Sequence, residues 1–142
     1  QKMDQAAREH RQALKNAATT DVRNHDADYQ QHQAKRVAAE QERLTQRNDL
    51  NYNMPRPANA PAPHYKTRQE IEAEAKKNVR TAYETGRDDL AARHKIAQED
   101  HERQAAGYPA AKGHYEARKA AYMQKVKQRR EQEQRPGQSP SH

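Results

Sequence analysis

Residues 1–51 read QKMDQAAREHRQALKNAATTDVRNHDADYQQHQAKRVAAEQERLTQRNDLN, without a single proline or glycine. The stretch is built mostly of Ala, Gln, Arg, Lys and Glu, side chains that lose little freedom in a helix. It predicts one long helix. Its apolar residues recur on one side: Met3, Ala7, Leu14, Ala18, Val22, Tyr29, Val37 and Leu44. At ~100° per residue the members up to Tyr29 fall within about a third of the circumference. Val37 and Leu44 drift sideways, as a straight helix does against a seven-residue spacing. Thr19-Thr20-Asp21 is the alternative break, with Thr20 as a cap; without Gly or Pro there, continuity is expected. Such a rod would measure about 75 Å at ~1.5 Å per residue. A stripe this thin cannot be buried by the helix that carries it, so it needs a surface to lie against.

The rest of the chain repeats the problem. Of the apolar residues, 25 are Ala and seven are Tyr, against four Leu, four Val, two Ile and no Phe or Trp in 142 residues. Leu, Ile and Val together lie far below the ~20% at which a chain is already suspected of disorder. Full burial of a large apolar side chain contributes about 1.5–3 kcal/mol, while ordering the backbone costs about 1–2 kcal/mol per residue. A compact self-supporting core is therefore not expected. Good helix formers with so little core predict an elongated, all-α chain of two or three helices whose ordering is coupled to binding.

Residues 52–66 carry Pro55, Pro57, Pro61 and Pro63 and read as an extended connector. It is read as a stiff spacer lying on a partner surface rather than a ligand for an aromatic groove. Residues 67–106 form the second helix, opened by the capping box Thr67-Arg68-Gln69-Glu70. Its stripe is Ile71, Ala75, Val79, Ala82, Leu90 and Ala97, with Ile96 at the edge. Gly86 interrupts it as a possible kink or end, and Gly107-Tyr108-Pro109 stops it. Residues 107–135 hold a basic helix, and 136–142 a polar tail.

The net charge is +7, and most of it sits in the last quarter. Lys112, Arg118, Lys119, Lys125, Lys127, Arg129 and Arg130 form a basic patch there, with Tyr108, Tyr115 and Tyr122 as aromatic anchors. That excess suits an acidic partner. Nucleic acid is possible through phosphate pairing and stacking on Tyr. Tyr115 and Tyr122 are spaced as one packing face, which favours an acidic protein surface. A membrane-surface helix would need larger apolar residues opposite the charge. No apolar run approaches the ~20 residues of a transmembrane span. The chain has no Cys, which excludes disulfides and thiolate metal sites.

The residues offer little to a catalytic reading. His25 and His32 stand seven apart, as do His94 and His101; about 10 Å along the axis is too far for one ion. They read as solvent-facing polar residues. Ser occurs only at Ser139 and Ser141, and the four glycines make no phosphate loop. No catalytic, cofactor-binding or metal-ligating residue is assigned, no cofactor is expected, and the chain is not read as an enzyme.

The expectation is a structural accessory subunit docking on a larger assembly through Met3, Leu14, Val22, Tyr29, Val37, Leu44, Ile71, Val79 and Leu90. Numbering that begins at Gln1 rather than Met points to a truncated chain or a removed targeting segment. With the basic charge, that favours a mitochondrial complex or mitoribosome. An axonemal microtubule-associated or luminal protein is the alternative, since Pro- and Tyr-rich loops joining long helices suit acidic tubulin. An RNA-binding accessory protein is the third reading.

Overall fold

A computed structural model describes residues 2–107 and 115–134, with side chains from Asp4 onward. Tyr108, Lys112, the tail 136–142 and the Met3 side chain lie outside the described residues. The described chain is all-α: α1 spans Lys2–Asn53, α2 Arg68–Ala105 and α3 Tyr115–Gln134. None of these helices is long and apolar enough to cross a membrane.

The helix limits follow from local chemistry. Helix α1 runs unbroken through Thr19-Thr20-Asp21, where Thr19 Oγ1 donates back to the Lys15 carbonyl (3.0 Å). Pro55 follows two residues after its end, and Arg56 Nη1 donates to the Tyr52 carbonyl in its last turn (2.8 Å). The capping box at the start of α2 is formed: the Glu70 amide donates to Thr67 Oγ1, and the Thr67 amide donates to Glu70 Oε1, both at 3.1 Å. At the other end Gly107 adopts φ +86° and its amide donates to the Gln104 carbonyl (3.1 Å), a left-handed glycine stop. Gly86 neither ends α2 nor divides it.

Two compact units emerge, one of Gln1–Arg23 with Arg87–His142, the other of Asn24–Gly86; α1 and α2 run through both. In the unit 24–86, Leu44, Ile71 and Ala75 form a buried cluster with Val37 packed against it. Beside them Tyr29 is buried, and its ring meets that of Tyr83 at 4.2 Å. Tyr83 donates to Asp26 Oδ1 (2.6 Å), and the Arg80 guanidinium stands 5.0 Å from its ring centroid. In the other unit α2 is covered on two faces. His94, Ala97 and His101 turn toward α1, where His94 Nε2 comes within 3.0 Å of Asp21 and the His101 ring lies 4.7 Å from that of His10. Ala92 and Ile96 are buried on another side, that of the carboxylates that bind α3.

The covered positions on α1 fall on two spacings: Ala7, Leu14, Asp21 and Asp28, and Arg11, Ala18, His25 and His32, follow at seven residues, and further rows follow at eleven. Ala7, Ala18, Tyr29 and Glu40 form one such row, Arg11 and Val22 another, Val37 and Asn48 a third. Eleven residues in three turns is about 3.67 per turn, close to a straight helix. The sideways position of Val37 and Leu44 therefore keeps them on the covered side.

Candidate functional site

The nine apolar residues expected to dock a partner are largely engaged within the chain. Tyr29, Leu44 and Ile71 are buried, and Leu14, Val22, Val37, Val79 and Leu90 are half-buried. In α2 the inward aromatic is Tyr83, on the four-residue ladder Ile71, Ala75, Val79; Ala82, expected on the stripe, is exposed. What the chain leaves outward is elsewhere.

Helix α3 supplies the first outward surface. It has no buried residue, so apolar packing alone does not hold it. Arg118 forks onto Asp100 (2.7 Å) and Glu99 (3.1 Å), and these carboxylates hold its pKa above the ordinary arginine value. Lys119 pairs with Asp89, which raises the pKa of the ammonium. Arg130 meets both oxygens of Asp88 at 2.8 Å. Three cations of the predicted patch are thus bound to α2. Lys125, Lys127 and Arg129 are exposed, and among the described residues no carboxylate pairs with them. Tyr122 is half-buried between the helices; Tyr115 is exposed beside Arg93, whose pKa its hydroxyl helps to raise.

The connector, in the unit 24–86, supplies the second. Asn48 is buried and clamps it: its Nδ2 donates to the Lys66 carbonyl and its Oδ1 accepts from the Lys66 amide, both at 3.1 Å. Tyr65 donates to Asp49 (2.5 Å) and packs edge-on to Tyr52 at 5.2 Å, while the Ala60 amide closes a turn on Pro57 (3.0 Å). Around this ordered turn Leu50 is 69% exposed and Met54 61%, beside outward Tyr52 and Tyr65. Sequence reasoning missed these four residues and Asn48. A tyrosine on each flank of the proline run was the available signal.

The histidines also differ from expectation. His25, His94 and His101 face inward, each ring meeting a residue of the other long helix within its own unit. His25 Nε2–H donates to the Tyr83 carbonyl (2.9 Å) with the two rings stacked at 5.1 Å. His101 is buried with no hydrogen bond to its Nε2, and His32 bonds Asp28 (3.1 Å). Among the described residues no group of three or more His, Asp or Glu could hold a metal ion.

Comparisons of the chain with protein-family models, with curated proteins and with solved structures gave no match.

Proposed function

We propose that the chain is a non-catalytic accessory subunit whose basic helix α3 docks on an acidic surface of a larger protein assembly. The observation that carries this reading is the division of charge on α3: Arg118, Lys119 and Arg130 are neutralised by α2, whereas Lys125, Lys127 and Arg129 are exposed with no carboxylate paired to them among the described residues. A helix that spends half its cations on α2 and leaves Lys125 and Arg129 outward on one face, one turn apart, offers complementarity to carboxylates. The exposed Leu50, Tyr52, Met54 and Tyr65 give the same chain an apolar contact of the kind that marks interaction surfaces. The setting we carry forward is a mitochondrial complex or mitoribosome, with the axonemal microtubule as the alternative.

Affinity purification of the full chain from its own cells, with lysine cross-linking, tests the reading. The expected result is a protein partner in fixed ratio, cross-linked at Lys125 or Lys127, retained after nuclease and released by high salt. A chain recovered alone at physiological salt would refute it. Release by ribonuclease would support the RNA-binding reading instead, for which Tyr122 beside Lys125 and Arg129 is the motivating feature.

A further inference from the structure

We propose that the groove between α2 and α3 receives an acidic amphipathic helix from a partner protein. The proposal rests on the docking reading above and names its surface and ligand. The groove encloses about 340 Å³. Ile96 of α2 and Tyr122 and Val126 of α3 give it an apolar floor, and Lys95, Lys125 and Arg129 give it a cationic rim. Of the α3 residues that line it, Tyr122, Val126 and Arg129 follow at i, i+4 and i+7, so they form one straight row along the helix.

Charge complementarity selects the ligand. Counting Arg118, the groove is lined by four cations and the single carboxylate Glu99, a net charge of +3, and Glu99 is already bound to Arg118. Lys95, Lys125 and Arg129 are exposed, and no carboxylate among the described residues pairs with them. The apolar floor adds a second demand, for aliphatic or aromatic side chains between the acidic ones. A segment with Leu-type residues at helical spacing, flanked by Asp or Glu, meets both.

The walls decide the conformation. Both are helices whose backbone groups are satisfied internally, so neither offers an edge to which an extended peptide could add hydrogen bonds. A helix brings its own backbone bonds and packs its ridge between the two side-chain rows. A membrane surface is disfavoured because the apolar residues are sunk between the helices rather than projecting from them. RNA would find cations and one ring, and would leave Ile96 and Val126 against phosphate.

The probe is a fluorescein-labelled peptide of about 18 residues made of Glu, Ala and Leu, with Leu at i, i+3, i+4 and i+7. It is titrated against the full chain beside a scrambled peptide of the same composition and a single-stranded RNA of about 20 nucleotides. Saturable binding of the patterned peptide is expected. Lys125→Glu with Arg129→Glu should weaken it roughly tenfold or more. Ala121→Trp, which fills the groove from an exposed position, should weaken it without loss of helicity, and Lys77→Glu on an exposed site in the other unit should not. Equal binding of the scrambled peptide, tighter binding of RNA, no binding at all, or insensitivity to Ala121→Trp would each overturn the proposal. Should the peptide fail while the chain still co-purifies with a protein assembly, the groove is wrong and the docking reading stands. Peptide binding by a chain that has no protein partner in its cells would instead support the groove and overturn the docking reading.

Discussion

The His25 ring occupies the space where any other residue at position 86 would place its side chain. A Cβ built on Gly86 would stand 2.6 Å from His25 Cε1 and 3.1 Å from Nε2. The ring is not free to swing aside, since its Nε2–H is bonded to the Tyr83 carbonyl and its face is stacked on the Tyr83 ring. Gly86 is therefore a close-approach glycine inside a continuous helix. Gly86→Ala should gain about 1 kcal/mol of helix propensity. Against that it would forfeit a hydrogen bond of about 1 kcal/mol and stacking of similar size. The expected net change is a loss of roughly 1 kcal/mol in urea or thermal melts. In a His25→Ala background the same change should become stabilising. Stabilisation of the wild-type chain by Gly86→Ala would show that the ring moves without cost.

Asn48 makes the connector part of the fold. Its buried carboxamide, carried on α1, satisfies both backbone groups of Lys66. Asn48→Ala leaves the part-buried amide and carbonyl of Lys66 without these partners, at about 1–3 kcal/mol for each group that water cannot reach. The expected outcome is faster amide exchange across residues 55–67 and a lower melting temperature. Asn48→Asp keeps the acceptor and loses the donor, so it should fall between the two. Unchanged exchange in the alanine variant would mean that the prolines alone hold the connector.

Much of this was written in the local code and little of it in the apolar pattern. The capping box at Thr67 and Glu70, the stop at Gly107 and the continuity of α1 all depend on residues adjacent in sequence, and all three were legible. The seam was less so. Residues such as His25, His94, His101, Glu40 and Asn48 face inward. Polarity alone assigns such residues to solvent. The drift of Val37 and Leu44 likewise follows a covered side that also holds the polar Arg11, Glu40 and Asn48, which an apolar stripe leaves out. On α3 the sequence showed six cations of equal standing; their division into bound and outward sets depends on Asp88, Asp89, Glu99 and Asp100, which lie far away along the chain.

The cap of α2 should respond to acid. Hydrogen bonding from His64, and then from the Thr67 amide, holds the Glu70 pKa below its ordinary value of 4.5. A carboxylate with a depressed folded-state pKa contributes stability above its unfolded value, and that contribution is lost as pH falls through the folded value. The first turn of α2 should therefore loosen below about pH 4.5. Glu70→Gln should abolish the response at the amides of residues 68–72, read by exchange-sensitive NMR. Identical acid profiles for wild type and variant would assign the transition to other carboxylates.

Leu44 and Leu50 separate folding from docking. Leu44 is 5% exposed in the cluster with Ile71 and Ala75, whereas Leu50 stands out to solvent. Leu44→Ala should cost roughly 2 kcal/mol, the low end for a buried leucine, because a thin seam can partly collapse. Leu50→Ser should leave the melt within about 0.5 kcal/mol of wild type. If the connector end contacts the assembly, the serine variant should nonetheless co-purify poorly. Full retention of Leu50→Ser on the assembly would remove that end from the docking surface.

Helix α3 should be the first element of its unit to leave. It buries no residue and is joined to α2 through Arg118, Lys119 and Arg130, pairs exposed enough to be screened by salt. The Debye length falls from about 8 Å at physiological ionic strength to about 3 Å at 1 M. Amide exchange in residues 115–134 should therefore accelerate with salt while residues 88–101 of α2 stay protected. Asp88→Asn with Asp89→Asn should produce the same release at low salt, since two of the three anchors lose their counter-charge. The two acidic residues left, Glu99 and Asp100, both bind Arg118, so the double variant should free the far end of α3 before the near end. Uniform protection of α3 across the salt series would show that the contacts of Tyr122 and Val126, rather than the ion pairs, fix it in place.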